Sequence, residues 1–205
     1  MADSADRFTV LIVPGLRDAV AEHWQTLLEA RLRAAARPVT TVLPMGRDDL
    51  SCAARVDAVE RSAQLVEGPI VAVAHSGGCI TLAHWARKTK RAIRGALLAT
   101  PPDFEKPMPE GYPTIDALRA GGWLPVPRSP LPFRSIVAAS RNDPLASFMR
   151  VADFARGWGS EIVDLGAVGH LNPAAGFGPW EDALPLIARL ATEPIEANPG
   201  AKPKD

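Results

Sequence analysis

The chain has 205 residues, of which 47% are hydrophobic, and its 23 lysines and arginines balance its 23 aspartates and glutamates. This length is enough for one domain with a sizeable hydrophobic core. A formal net charge of zero creates no overall field that would attract polyanions, so we expect neither a nucleic-acid partner nor a membrane partner.

Targeting and redox features narrow the class of protein further. Residues 1–7 do not form a basic start followed by an apolar segment, and no apolar run approaches the roughly 18 residues of a membrane helix. We therefore expect a cytoplasmic protein. Cys52 and Cys79 occur in neither a C-x-x-C nor a mixed Cys/His spacing, which argues against a disulfide framework and a zinc site. The oligomeric state has no signature in the sequence.

Predicted strands and helices alternate along the chain. The apolar or β-branched runs that predict strands are residues 8–13, 39–43, 69–74, 93–99, 133–139 and 161–165. The segments between them with apolar residues at helical spacing include 20–32, 52–66, 79–86 and 145–152. Such alternation implies right-handed crossovers and a parallel sheet covered on both faces. We therefore predict an α/β fold, a three-layer α/β/α sandwich with a six-stranded, mainly parallel sheet.

Two segments depart from this alternation. From Pro101 to Pro132 the chain carries 9 of its 20 prolines, and this excursion is too short to be a separate lid domain. Near the end, Pro185 lies within a predicted helix over 180–190 and must either occupy its first turn or kink it. Residues 192–205 are too polar to join the core. We therefore predict one domain over residues 1–191, followed by a flexible tail.

The stretch Ala74-His75-Ser76-Gly77-Gly78 joins the third predicted strand to a helix. Small residues around a serine at such a junction allow the tight turn that exposes a nucleophile, as in the hydrolase motif G-x-S-x-G. Ala74 replaces the first glycine, and a short motif also matches ordinary turns by chance. We take Ser76 as the candidate nucleophile, provided that a histidine can reach it.

His170 is the preferred general base among the four histidines. It follows the last predicted strand, and in a parallel sheet the loops after the strands gather at the carboxyl edge, where Ser76 also lies. His84 lies too far along the elbow helix and His75 is expected to point elsewhere. His23 sits in the first helix.

A carboxylate must hold the tautomer of the base and stabilise its cation. Asp143 follows the fifth predicted strand and so emerges at the same edge, although an aspartate there could equally cap the next helix. The chain order Ser, Asp, His after successive strands favours the catalytic interpretation. Asp103, after the fourth strand, is the alternative acid.

An oxyanion needs two prepositioned donors. The amide of Gly77, at the positive end of the elbow helix, is one candidate. The second should come from the loop after the first strand, and we choose the amide of Leu16. A metal or organic cofactor has no part in such a reaction.

Motifs in five loops, with matching spacing, resemble one family of small enzymes. They are Pro14-Gly15 with His23-Trp24-Gln25, the elbow at 74–78, Asn142-Asp143-Pro144, Gly169-His170-Leu171-Asn172, and residues 176–180. The chain resembles the RBBP9/YdeN family of the α/β-hydrolase superfamily. Its predicted strands are similar in order to the third to eighth strands of that superfamily, over nearly the whole chain. The resemblance implies a Ser76, Asp143 and His170 triad in a compact fold without a lid domain, and the family's elbow typically begins with alanine.

The sequence therefore predicts a serine hydrolase that cleaves carboxylic ester, thioester or amide bonds of a small-molecule acyl substrate through an acyl-enzyme on Ser76. His75, Trp123 and Phe104 are candidate pocket residues, although packing over the sheet edge is the preferred interpretation of the two aromatic ones. Because the excursion is short, we expect a shallow, open site that prefers short acyl groups. Two alternatives stay open: an interaction module with vestigial catalytic residues, and an acyltransferase.

Overall fold

The computed structural model describes residues 8–17 and 20–192, and within them six parallel strands form one sheet. The strands are β1 (Thr9–Val13), β2 (Val39–Thr41), β3 (Ile70–His75), β4 (Gly95–Ala99), β5 (Arg134–Ala139) and β6 (Glu161–Asp164). Their order across the sheet is β2-β1-β3-β4-β5-β6, and every neighbouring pair is parallel. All strands therefore end at the same edge, which we call the carboxyl edge.

Helices cover both faces of the sheet and make it the middle of three layers. They are α1 (Trp24–Ala34), α2 (Cys52–Gln64), α3 (Gly77–Trp85), α4 (Ile115–Ala120), α5 (Phe148–Trp158) and α6 (Ala183–Thr192). One core cluster contains buried residues of α2, α3 and α5, and a second contains those of α1 and α6. Along β3, Ala72 and Ala74 belong to the first cluster, whereas Val71 and Val73 belong to the second. This alternation of side chains is what a strand between two helical layers requires.

The predicted three-layer architecture and six-stranded parallel sheet are confirmed. The structure differs from the prediction at the ends of some elements. Strand β2 has three residues and ends at Thr41, two short of the predicted boundary, and Leu43 is 80% exposed beyond it. Pro185 lies in the first turn of α6, which begins at Ala183, so the helix has no missing hydrogen bond at that position. The predicted tail lies outside the described residues, apart from Thr192 at the end of α6.

The excursion from Pro101 to Pro132 leaves the carboxyl edge after β4 and returns to β5, and it contains α4. Its first part is fixed to α5 because Arg150 forms an ion pair with Asp103 at 3.0 Å and a second with Glu105. Trp123, further along, is fully buried, and its indole N–H donates to the Leu50 carbonyl at 2.7 Å. The excursion therefore packs against the rest of the fold.

None of the helices in the described residues is long and apolar enough to cross a membrane.

Candidate functional site

Ser76 lies between β3 and α3 with φ +55° and ψ −130°. A non-glycine residue in this region of the backbone is strained, and such strain is held in place only by the structure around it. The Ser76 amide donates to the Ala99 carbonyl at 3.0 Å, and the Ser76 carbonyl accepts from the Cys79 amide at 2.9 Å. The turn is therefore fixed to strand β4 on one side and to helix α3 on the other.

Two glycines make this turn sterically feasible. A Cβ added at Gly78 would lie 2.5 Å from the Val13 carbonyl oxygen, and one added at Gly15 would lie 3.2 Å from Ser76 Cβ. A side chain at Gly78 would thus push the first turn of α3 away from β1, and one at Gly15 would push the loop after β1 away from Ser76. Ala74, by contrast, is a fully buried strand residue, and its methyl group packs in the core.

His170 hydrogen-bonds to the other two predicted site residues. Its Nε2 lies 2.9 Å from Ser76 Oγ, and its Nδ1 lies 2.8 Å from Asp143 Oδ2. Because a carboxylate only accepts, Nδ1–H donates to Asp143, which leaves Nε2 to accept from the serine hydroxyl. The side chains of His170 and Asp143 are 5% and 1% exposed, so solvent does not compete for these hydrogen bonds.

The loops that carry Asp143 and His170 are joined by further hydrogen bonds. Asp143 Oδ1 accepts from the Leu145 amide at 2.8 Å, which fixes the carboxylate. Asn142 Oδ1 accepts from the Gly169 amide at 2.7 Å, so that the residues just before Asp143 and His170 hold each other. Together these bonds determine the direction in which each side chain leaves the carboxyl edge.

Asp103, the alternative acid, has different partners. Its Oδ1 accepts from Arg150 Nη2 at 3.0 Å and from the Glu105 amide at 3.1 Å. The Asp103 side chain therefore fixes the excursion to α5, and Asp143 occupies the position next to the imidazole.

His75 and His23 pack beside His170. His75 Nε2–H donates to the His170 carbonyl at 2.9 Å, and its ring centroid lies 4.7 Å from that of His23 and 5.0 Å from that of His170. Burial, with the neighbouring imidazoles of His170 and His23, holds the pKa of His75 well below its usual range. Burial also lowers the pKa of His23 to about 4, and the proximity of His170 adds to this effect. Both rings are therefore neutral at neutral pH.

The low pKa of His23 predicts a pH-dependent stability. Below about pH 6.5 the unfolded chain protonates this imidazole, whereas the folded protein does so only near pH 4. The unfolded state then binds more protons, so the free energy of unfolding falls as the pH drops from 6.5 to 4.

His23 caps α1 by accepting from the Gln25 amide, and asparagine can replace it in that role without titrating. In urea denaturation at a series of pH values, His23→Asn should reduce the acid-induced loss by about 1–2 kcal/mol. An equal acid-induced loss of unfolding free energy in the wild type and in His23→Asn would contradict a role for His23 in this pH dependence.

A cavity of about 500 Å³ opens above Ser76 and His170, within the range of about 300–1,000 Å³ typical of small-molecule sites. His75 and Phe104 line it, as do Met108 and Tyr112 of the excursion. Trp123 does not. It lies behind Phe104, with ring centroids 5.4 Å apart, so the candidate wall assignment of Trp123 is replaced by a packing role.

Leu16 and Gly77, the two candidate oxyanion donors, lie against each other. A Cβ on Gly77 would be only 2.6 Å from Leu16 Cγ, so glycine lets the loop after β1 pack directly on the first turn of α3. Gly77 is the first residue of α3, where backbone N–H groups lack partners within the helix. The side chain of Leu16 therefore packs against Gly77, which directly follows Ser76.

Sequence reasoning assigned no role to three residues of the site. Gln25 is buried, and its side-chain amide donates to the carbonyls of Val13 and Val73 at 3.1 Å, which joins β1 to β3 next to the elbow. The sequence signal for Gln25 was its place in the motif His23-Trp24-Gln25, which did not specify this role. Arg17 and Tyr112 line the cavity but carry no sequence pattern that predicts this. The described residues contain no cluster of three or more His, Cys, Asp or Glu side chains suited to a metal ion.

Comparison with known proteins gives a family and a fold. Residues 10–189 match the family model described as serine hydrolase. A YdeN-like hydrolase from Pectobacterium atrosepticum is similar in structure with a TM-score of 0.74 and 31% identity, over 90% of this chain and 91% of that one. The ydeN gene product of B. subtilis has a TM-score of 0.71 and 16% identity, over 91% of this chain and all of that one. Among proteins with curated descriptions, none matches the chain.

Proposed function

Because the chain belongs to the serine hydrolase family, as an RBBP9/YdeN-type member of the α/β-hydrolase superfamily, we propose that it cleaves carboxylic ester, thioester or amide bonds through an acyl-enzyme on Ser76. One observation carries this proposal: the hydroxyl of Ser76, the imidazole of His170 and the carboxylate of Asp143 form a continuous hydrogen-bonded chain. Its open end at Ser76 faces a cavity large enough for a small-molecule substrate.

In the first half of the reaction, Ser76 Oγ attacks the carbonyl carbon of the substrate while His170 Nε2 takes the hydroxyl proton. The 2.9 Å separation of these two atoms is within the range in which such a transfer occurs. Asp143 stabilises the imidazolium that forms. The tetrahedral intermediate then collapses, and His170 returns the proton to the departing alcohol, thiol or amine.

In the second half, water attacks the acyl-enzyme and loses a proton to His170, which returns it to Ser76 Oγ as the carboxylic acid leaves. Every proton in the cycle is carried by these side chains, so the proposed reaction needs no cofactor. An acyltransferase would follow the same steps with an alcohol or amine in place of water.

We propose that the amides of Leu16 and Gly77 donate to the oxyanion in both halves. The contact between these residues and the position of Gly77 at the first turn of α3 support this assignment. Loss of one such donor typically costs about 10²–10³ in kcat.

The reaction class is tested by hydrolysis of esters, thioesters and amides that share one short acyl group, using the wild type and Ser76→Ala. We expect the wild type to hydrolyse at least one class and Ser76→Ala to lose at least about 10⁴ in kcat, because the covalent route is removed. In a separate series of 4-nitrophenyl esters, faster hydrolysis of long-chain than of short-chain members would contradict the predicted preference for short acyl groups. A wild type inactive on all three classes, or an equally active Ser76→Ala, would exclude the proposed function and favour an interaction module.

A further inference from the structure

We infer that the acyl group of the substrate carries an anionic group, such as a carboxylate, at the end remote from the scissile bond, and that Arg17 binds it. This inference rests on the proposed function and names the substrate class of the same site. It follows from which side of the cavity is apolar, which side receives the leaving group, and where the cation lies.

The two sides of the cavity differ in chemistry. Leu16, Phe104 and Met108 line one side and belong to or pack against the core cluster of α2, α3 and α5. The lining residues also include His23 and His75, which contact the ring of Trp24, a member of the core cluster on the other face of the sheet. One part of the substrate therefore meets an apolar wall, and the other meets imidazole groups.

The position of His170 indicates which part is which. His170 must return its proton to the leaving atom, so the leaving group lies on the side of the His170 loop, where Asn172 and Pro173 line the cavity. The acyl group then extends the other way, along the wall of Leu16, Phe104 and Met108. An apolar stretch of acyl chain fits this wall.

Arg17 connects the two segments that form the apolar wall, which are the loop after β1 and the excursion. It follows Leu16 directly, and its Nη2 donates to the Gly111 carbonyl at 2.9 Å while its guanidinium lies 4.1 Å above the ring centroid of Tyr112. Arg17, Gly111 and Tyr112 all line the cavity. An acyl chain that follows the wall away from Ser76 therefore leads towards a guanidinium that contacts both Gly111 and Tyr112.

The charge of Arg17 has no acidic partner in the part of the chain that the structure describes. Its contacts there are a carbonyl and an aromatic ring, and one of the five N–H donors of a guanidinium is used. A carboxylate is the group that a planar guanidinium binds best, through two parallel hydrogen bonds. Arg47 and Asp48 also line the cavity, so the rim has two cations and one anion within the described ranges.

The test compares 4-nitrophenyl half-esters of dicarboxylic acids of increasing length with the same compounds whose free carboxylate is capped as a methyl ester. We expect kcat/KM to be about tenfold higher for the anionic member of the best pair, because the exposed Arg17 can form a bidentate, charge-assisted pair with a carboxylate. The ratio should peak at one chain length and fall when salt is raised to about 0.5 M, because salt screens the attraction.

Three variants test whether Arg17 causes the preference for the anionic ester. Arg17→Gln should lower the anionic-to-neutral ratio by about tenfold, and Asp48→Asn should raise it because it removes a repulsive charge. Arg156→Gln on α5 is the control for net charge, since its ion pair with Asp153 is exposed and it does not line the cavity; its ratio should equal that of the wild type. Each ratio is measured within one protein, so the amount of folded enzyme cancels.

A wild-type ratio near one with good hydrolysis of the neutral esters, or a ratio unchanged in Arg17→Gln, would overturn this inference and leave the proposed function standing. Failure of the wild type to hydrolyse either member of any pair would overturn both.

Discussion

Replacing His170 with alanine is expected to lower kcat/KM for ester hydrolysis by about 10⁴ or more, because members of a serine triad act as a unit. Without the imidazole, nothing accepts the proton of Ser76 Oγ, and Asp143 is left buried without its 2.8 Å partner. The measurement is steady-state hydrolysis of a 4-nitrophenyl ester at neutral pH, with circular dichroism to confirm that the variant is folded.

Two further variants make the result specific. Asp143→Asn should reduce the rate by about 10²–10⁴, since the imidazole stays but its tautomer is no longer fixed. His84→Gln is the control: its partly buried ring hydrogen-bonds to the Trp123 carbonyl at 3.1 Å, but it does not line the cavity. We expect its activity to stay within a few-fold of the wild type. His170→Ala within tenfold of the wild type would contradict the assigned base.

Replacing Gly78 with alanine is expected to lower the free energy of unfolding by about 2–3 kcal/mol, because overpacking against rigid atoms cannot be relieved by rotating a side chain. The new Cβ would lie 2.5 Å from the Val13 carbonyl oxygen and 2.7 Å from that of Pro14. Since α3 would have to move away from β1, the activity of the folded fraction should fall as well.

Gly178→Ala provides the control, because the nearest atoms to its new Cβ would be 4.0 Å away. We expect a change within about 0.5 kcal/mol for this variant. Both are measured by urea unfolding with the wild type alongside. Equal stabilities of Gly78→Ala and Gly178→Ala would show that the close approach of α3 to β1 does not limit the packing here.

The fold could be predicted because its signals are local and repeated. Each strand in the middle of the sheet is buried on both faces, and β3 is apolar from Ile70 to Ala74 as a result. The convergence of Ser76, Asp143 and His170 could be predicted for a different reason: in a parallel sheet, residues that follow successive strands lie at one edge. In both cases a general rule converts sequence position into spatial position.

The walls of the cavity could not be predicted in the same way. The excursion contains two buried aromatic residues, Phe104 and Trp123, and only its path decides that Phe104 faces the cavity and Trp123 lies behind it. Arg17 and Tyr112 are 95 positions apart, and their contact depends on that path as well. Strand β2 lies at the edge of the sheet and ends at Thr41. The apolar run continues to Leu43, so hydrophobicity alone does not mark this end.

The most direct test of the central claim is reaction of the wild-type protein with an alkyl fluorophosphonate, followed by mass spectrometry of its peptides. We predict one added alkylphosphonyl group, on the peptide containing Ser76, and no addition to Ser76→Ala treated in parallel. An unmodified wild type, or the same addition on the alanine variant, would contradict a covalent mechanism at Ser76.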